Sequence, residues 1–130
     1  MPAAERRRVF AWLVVAFDEG AALPAGERWL TLEAAHVVGQ PLIGLHTRSH
    51  LLMLCHALEQ ADWREAAGQL LRLALVVPGH LLRRLPAGNT GRATVPARRP
   101  MPPQPAVEAW IARALAALAP TNPGPLAQGC

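Results

Sequence analysis

The sequence predicts an all-α fold: a small irregular antiparallel helical bundle with a proline-rich extended segment and a C-terminal helix. Three observations lead there. Apolar residues recur at the spacing of one helix face in five separate stretches. The first four stretches are joined by short loops, which favours antiparallel neighbours. Hydrophobic residues make up 52% of the 130 residues and charged residues 17%, which argues against disorder and for a core that needs no cross-links.

The first helix is predicted from Ala4 to about Glu19, with Val9, Phe10, Leu13 and Phe17 as its stripe. Arg6–Arg8 ahead of Val9–Phe17 mimics the start of a secretion signal. Asp18-Glu19-Gly20 ends that run without a small-residue cleavage site, so a packed helix is the preferred reading. Gly20 to Gly26, with Pro24 inside, reads as a loop. The second helix covers Glu27 to Val38, closed by Gly39 as its C′ residue. Pro41 suits the first turn of a third helix that continues to about Gln60. Asp62 is an N-cap with Glu65 as its capping-box partner. The fourth helix then runs to Val77, where Pro78-Gly79 stops it, with room for a short helical turn over His80 to Leu85.

From Pro86 the texture changes. Pro86-Ala87-Gly88-Asn89-Thr90-Gly91 is turn chemistry, and Pro96, Pro100, Pro102, Pro103 and Pro105 impose an extended path. The last helix spans about Ala106 to Ala119, with Val107, Trp110, Ile111, Ala114 and Leu118 on one face, and Pro120 ends it. The expected organisation is one helical domain over 1–120, with 86–105 packed on it and 121–130 a flexible tail. Trp29-x-x-Leu32 followed by His36 on a helix pair is similar to a tetratricopeptide pair. A second copy is missing, which favours a bundle over a solenoid.

The formal charge is +4, and all 13 basic residues are arginine. Arginine without lysine in an alanine-rich chain is the usage of a GC-rich bacterial genome. The arginines are scattered rather than striped with aromatics. Solvated surface positions are therefore expected for them, and nucleic-acid binding is not. No run of 18 apolar residues exists, so no membrane helix is expected and a cytoplasmic location is. Cys55 is then a reduced thiol within a helix, and Cys130 a free thiol on a loose end.

Helical angles of about 100° per residue place Glu33 and His36 on the face of the second helix that carries Trp29 and Leu32. His46 and His50, four apart, share the inward face of the third helix with Ile43, Met53, Leu54 and Ala57. An inward carboxylate must be paired, hydrogen-bonded or ligating. Glu33-x-x-His36 has the spacing that brings a carboxylate and an imidazole to one metal in helical bundles. His46-x-x-x-His50 lets one helix chelate with two imidazoles. Imidazoles with a carboxylate suit zinc, iron or another transition metal rather than magnesium or calcium. The bland reading is that these histidines are core residues hydrogen-bonded to Glu33, Gln40 or backbone carbonyls.

On the fourth helix, Trp63, Ala66, Ala67, Leu70, Ala74 and Val77 form the apolar stripe, and Glu65, Gln69 and Arg72 lie nearly opposite, as a solvated face. If Leu71 and Leu75 widen the buried girth, the triplet instead lines a polar seam, with Glu65 a further ligand or an acceptor behind one. His56 points away from the inward line and is expected at the surface; His80 sits at a loop. Ser49, on a helix between arginine and histidine, is expected exposed rather than nucleophilic. The Gly88-Asn89-Thr90-Gly91 turn is either a plain turn or a cover whose Asn89 amide bonds a site residue. Phosphate loops, Gly-x-Ser-x-Gly and Cys-x-x-Cys are all missing.

Several of these residues fall in one ordered pattern. Leu32-Glu33-Ala34-Ala35-His36-Val37-Val38-Gly39-Gln40 precedes His46-x-x-x-His50-x-x-Met53. Asp62-x-x-Glu65-x-x-Gly68-Gln69-x-x-Arg72 follows, then Pro86-x-Gly88-Asn89-Thr90-Gly91, Val95 and Pro100-Met101-Pro102. From about Trp29 to Pro103 the chain resembles the uncharacterised bacterial domain-of-unknown-function 3703 family. An aromatic residue expected before Pro100-Met101-Pro102 is replaced here by Ala97-Arg98-Arg99. The resemblance implies a shared all-helical fold and names no ligand.

The functional expectation is a transition-metal-binding helical protein for storage, sensing or delivery. Glu33, His36, His46, His50 and Glu65 are the candidate ligands, and whether it is an enzyme is left open. The rival is a helical interaction module using Trp29, the first-helix stripe or the proline segment, with structural histidines. The expected partners are a metal ion and, on the rival reading, a protein partner or a second copy.

Overall fold

A computed structural model describes residues 1–96, 99–102 and 104–120. Among these, the chain forms α1 (Ala3–Glu19), a 3-10 turn (Gly20–Ala22), α2 (Ala25–Gly39), α3 (Ile43–Glu59), α4 (Trp63–Leu81) and α5 (Pro105–Leu118), with no strand. α1 packs on α2, α2 on α3 and α3 on α4, and α5 returns to lie on α1 and α2. α2 is therefore the central helix, and it reads accordingly: Leu32, Ala34 and Ala35 are fully buried. None of the helices is long and apolar enough to cross a membrane.

The core has two lobes. Val9, Phe10, Leu13 and Val14 of α1 meet Ala34, Ala35 and Val38 of α2 and Val107, Trp110 and Ala114 of α5. Phe17, Trp29, Leu32, Met53, Ala57 and Ala66 make the second lobe, between α2, α3 and α4. Side chains such as Phe10, Leu13 and Leu32 each contribute roughly 1.5–3 kcal/mol by leaving water. The stripe of α1 is thus core, as expected for a packed helix, and Trp29 is buried beneath Arg92. Both are unavailable as docking surfaces. Arg6 Nη1 donates to the Val38 carbonyl (2.9 Å) and Arg8 Nη2 to the Leu118 carbonyl (3.2 Å), so two of the scattered arginines satisfy helix C-termini.

Several boundaries differ from expectation, each for a local reason. α2 runs through Gly39, with Gln40 as its C-cap. Gly39 is small because helices meet there: a Cβ would lie 2.9 Å from Leu45 Cβ and 3.0 Å from the Phe10 ring. Pro41 stays in the connecting turn, and α3 begins at Ile43. α4 continues through Pro78 to Leu81, so Pro78-Gly79 does not stop it and the separate turn at His80 is absorbed. Asp62 caps the helix as expected, its Oδ1 accepting from the Glu65 amide at 3.0 Å, but Glu65 does not complete a capping box: the Asp62 amide bonds the Ala57 carbonyl and Glu65 Oε1 turns to Gln69 and Ala93. Cys55 is exposed on α3. The expected flexible tail over 121–130, Cys130, Pro103 and the Ala97-Arg98 pair lie outside the described residues.

α3 ends with a non-glycine residue in the left-handed region, Ala61 at φ 54°. The Asp62 amide reaches back to the Ala57 carbonyl at 2.9 Å, a Schellman closure. That conformation costs about 1 kcal/mol for a residue with a Cβ. Ala61→Gly is expected to raise stability by about that amount, read as a higher urea midpoint with unchanged slope.

Candidate metal centre

The centre is assembled by three helices and a loop. α2 supplies Glu33 and His36, α3 supplies His46 and His50, α4 supplies Glu65, Gln69, Arg72 and His80, and residues 86–96 lie across them. One nitrogen each from His36, His46 and His50 lies within 4.8 Å of the other two, and all three residues are buried. Two imidazoles on one ion at about 2.0–2.1 Å are at most about 4.2 Å apart. The three imidazoles are thus close enough together to be a group that could hold an ion.

Hydrogen bonds set which nitrogens carry protons. His36 Nδ1–H donates to the Asn89 carbonyl at 2.9 Å, leaving Nε2 with a bare lone pair. Gln69 Nε2 donates to Glu65 Oε1 (2.8 Å) and to the Gly91 carbonyl (2.9 Å). The amide orientation is thereby fixed, and Gln69 Oε1 must accept from His50 Nδ1–H (2.7 Å). His50 Nε2 is then bare as well. It sits 3.1 Å from His46 Nε2, while His46 Nδ1 sits 2.9 Å from His80 Nε2. In the metal-free protein both contacts are hydrogen bonds when His46 Nε2–H donates to His50 Nε2 and its Nδ1 accepts from His80; moving that proton to Nδ1, donated to His80, would turn three bare Nε2 atoms toward an ion. Each imidazole is then held from behind by an acceptor, the arrangement that orients metal-bound histidines.

The charge state matches. Burial pushes His36 well below the usual imidazole value, reinforced by His50 and His46. Burial, then His50, His80 and Arg72, lower His46 to about 3. Burial lowers His50 to about 4, with Gln69 opposing and Arg72 assisting. The three are neutral at neutral pH, as ligation requires. In chelator-treated protein the unfolded chain takes up protons near pH 6.5, while folded His46 resists until about 3 and His50 until about 4, and burial holds His36 well below its usual value. This stabilisation is complete above about pH 6.5 and drains as the pH falls toward the folded values. The expected slope is up to about 1.4 kcal/mol per pH unit for each imidazole, checked by thermal melts between about pH 7.5 and pH 5.

Glu33 and Glu65 are buried but stand outside the converging group. Glu65 Oε1 accepts from the Gln69 amide and the Ala93 backbone N–H (2.9 Å) and pairs by charge with Arg92, whose Nε lies 3.3 Å away without a hydrogen bond. Glu33 Oε1 faces Arg92 Nη1 at 3.5 Å; burial raises its carboxyl, and Arg92 opposes the rise. Arg92 also stacks on Trp29, its guanidinium carbon 3.7 Å from the ring centroid.

The fourth helix is therefore turned over relative to the solvated-face reading. Glu65, Gln69 and Arg72 are buried, whereas Trp63, Leu70 and Val77 are exposed. The physical reason is that the triplet meets equally polar partners: His50, Arg92 and loop carbonyls offset its desolvation. Arg72 and Arg92 are likewise not solvated surface arginines. His56, expected at the surface, is 1% exposed, wedged between the Phe17 and Trp29 rings at 5.2 and 4.8 Å. Ser49, expected exposed, is buried and donates to the His46 carbonyl at 2.7 Å. The Gly88–Gly91 turn does cover the site, but through backbone: the Asn89 carbonyl holds His36, while its side-chain amide donates to the Pro96 and Arg99 carbonyls. Gly91, at φ +83°, is required here, since a Cβ would lie 2.8 Å from the His36 ring. His80 and Arg92 were not singled out by sequence. The one available signal was their chemistry, since nothing local places them at the site.

Beside the imidazoles lies a cavity of ≈ 110 Å³, bordered by all three histidines, by Arg72 and by apolar side chains including Leu75, Val76 and Leu82.

The family described as Protein of unknown function (DUF3703) matches residues 6–111. No curated protein and no solved structure shows a significant match to the chain.

Proposed function

We propose that the chain, which belongs to the DUF3703 family over residues 6–111, is a transition-metal-binding protein whose ligands are His36, His46 and His50. The observation that carries this reading is three buried, neutral imidazoles, each with its outer nitrogen engaged. Backbone and side-chain acceptors hold the Nδ1–H of His36 and of His50, so each keeps an Nε2 lone pair, and that of His50 meets only His46 Nε2 at 3.1 Å. Neutral imidazoles suit zinc, cobalt(II), iron(II), nickel or copper(II). With three protein ligands, one coordination position remains for an exogenous group. Glu65 acts as a positioning residue through Gln69, and Glu33 with Glu65 fixes Arg92 and the covering loop.

Elemental analysis of protein purified without chelator, with thermal melts before and after chelation, tests the reading. The expected result is close to one equivalent of a transition metal and a lower melting temperature after its removal. Metal-free protein that melts identically with and without added zinc overturns it.

A further inference from the structure

The cavity beside the histidines carries a charge that the protein leaves unbalanced. Arg72 is 7% exposed, and its Nη2 donates to the Arg92 carbonyl (2.6 Å) and to the Val95 carbonyl. Those bonds engage Nη2 alone and supply no counter-charge. Among the described residues it forms no ion pair, and the neighbouring carboxylates of Glu33 and Glu65 are held by Arg92. A buried guanidinium without a counter-charge is costly. A divalent ion on neutral imidazoles would add two more positive charges at the same place. The remaining wall is mostly apolar, with Leu75, Val76, Leu82 and Leu85 facing the opening that Gln40, Asn89 and a second arginine, Arg84, also border.

We propose, building on the metal reading above, that this cavity takes a short-chain monocarboxylate. Its carboxylate completes the metal's coordination and faces Arg72, and its tail lies on Leu75, Val76 and Leu82. A bare inorganic oxyanion leaves that wall against water. An engineered apolar cavity of about 150 Å³ holds benzene, so ≈ 110 Å³ fits about four or five heavy atoms. The test is cobalt(II)-loaded full-length protein titrated with sodium propionate and, separately, sodium phosphate, followed by the visible cobalt bands. Saturable band shifts are expected with propionate. Leu75→Trp, which fills the cavity, should weaken propionate by about tenfold or more with the cobalt-only spectrum unchanged. Cobalt bands that ignore propionate, or that respond only to phosphate, overturn this inference and leave the metal reading standing. A protein that gives no cobalt bands fails the metal reading itself.

A separate feature lies on the outer side of α4. Trp63, Ala67, Leu70, Ala74, Val77 and Leu81 follow one another at steps of four and three residues, the 3.5-residue repeat of a coiled-coil seam. All six are exposed, Trp63 by 68% and Leu81 by 78%. We infer that this seam pairs with the same seam of a second copy, in antiparallel orientation. That pairing sets Leu70 against Ala74 and Ala67 against Val77, large against small, and Trp63 against Leu81 at either end of the seam. It also brings exposed Glu59 and Asp62 at one end of the helix beside exposed Arg83 and Arg84 at the other. A parallel pairing stacks alanine on alanine and arginine on arginine instead. Sedimentation equilibrium is expected to show a dimer, and Leu70→Glu a monomer with undiminished helical circular dichroism. Glu59→Arg should weaken the dimer, and Glu59→Arg with Arg84→Glu in one chain should restore it. A monomeric wild type, a Leu70→Glu dimer or a failed rescue overturns the proposal.

Discussion

Replacing His50 by alanine is expected to lower zinc affinity by more than about a hundredfold, beyond what the loss of an outer hydrogen-bond partner costs a metal site. Zinc at 1,000 times its dissociation constant stabilises a folded protein by about 4.1 kcal/mol. A hundredfold loss leaves that zinc at about ten times the new dissociation constant, so His50→Ala should keep no more than about 1.4 kcal/mol of the increment. His80→Ala removes only the acceptor behind His46. It is expected to fall in the range of about 10–100-fold and to keep a smaller, measurable zinc shift. Titration calorimetry separates the two. If His50→Ala retains the full zinc shift, His50 is not a ligand, and its bond to Gln69 is a core contact only.

The second large effect is expected at Glu65, which no metal needs to touch. Its Oε1 accepts from the Gln69 amide and the Ala93 backbone N–H and pairs by charge with Arg92, in a site 2% exposed. Glu65→Ala strands those donors and leaves Arg92 with Glu33 alone, a loss of about 3–5 kcal/mol. The covering loop and the orientation of His50 depend on the same atom. Metal affinity should therefore fall together with stability, by about 10–100-fold. Glu65→Gln keeps a neutral acceptor for Gln69 and Ala93 and removes only the charge opposite Arg92. It is expected to cost about 1–2 kcal/mol and to preserve most of the metal affinity. Chemical denaturation of metal-free protein gives the first quantity, and competition with a chromogenic chelator gives the second. Equal affinities for Glu65→Ala and wild type would refute the positioning role.

Much of the site was legible because helix geometry is local. Glu33 with His36 and His46 with His50 fall inward by angle alone, and the Asp62 cap on the Glu65 amide needs only four residues. The orientation of α4 was legible only as an alternative. Its apolar and polar faces are both well formed, and counting apolar residues favoured burying the wrong one, while the polar-seam reading of Glu65, Gln69 and Arg72 is the one that holds. His56 misled for a related reason. Burial of an imidazole between Phe17 and Trp29 depends on where α1 and α2 arrive, not on the angle within α3. The contribution of Arg92 was hidden among 13 arginines, because its role comes from a loop crossing α2 and α4.

The sequence by itself determined an all-helical chain, the limits of most helices, and the pairing of histidines along two of them. These follow from short-range periodicity, capping and proline placement, which act within a few residues. Tertiary structure decided which face of α4 is buried, that His36 meets His46 and His50, and that the 86–96 segment seals them through backbone carbonyls. Burying a polar group is tolerable only where a partner meets it, and the partners here come from segments distant in the chain.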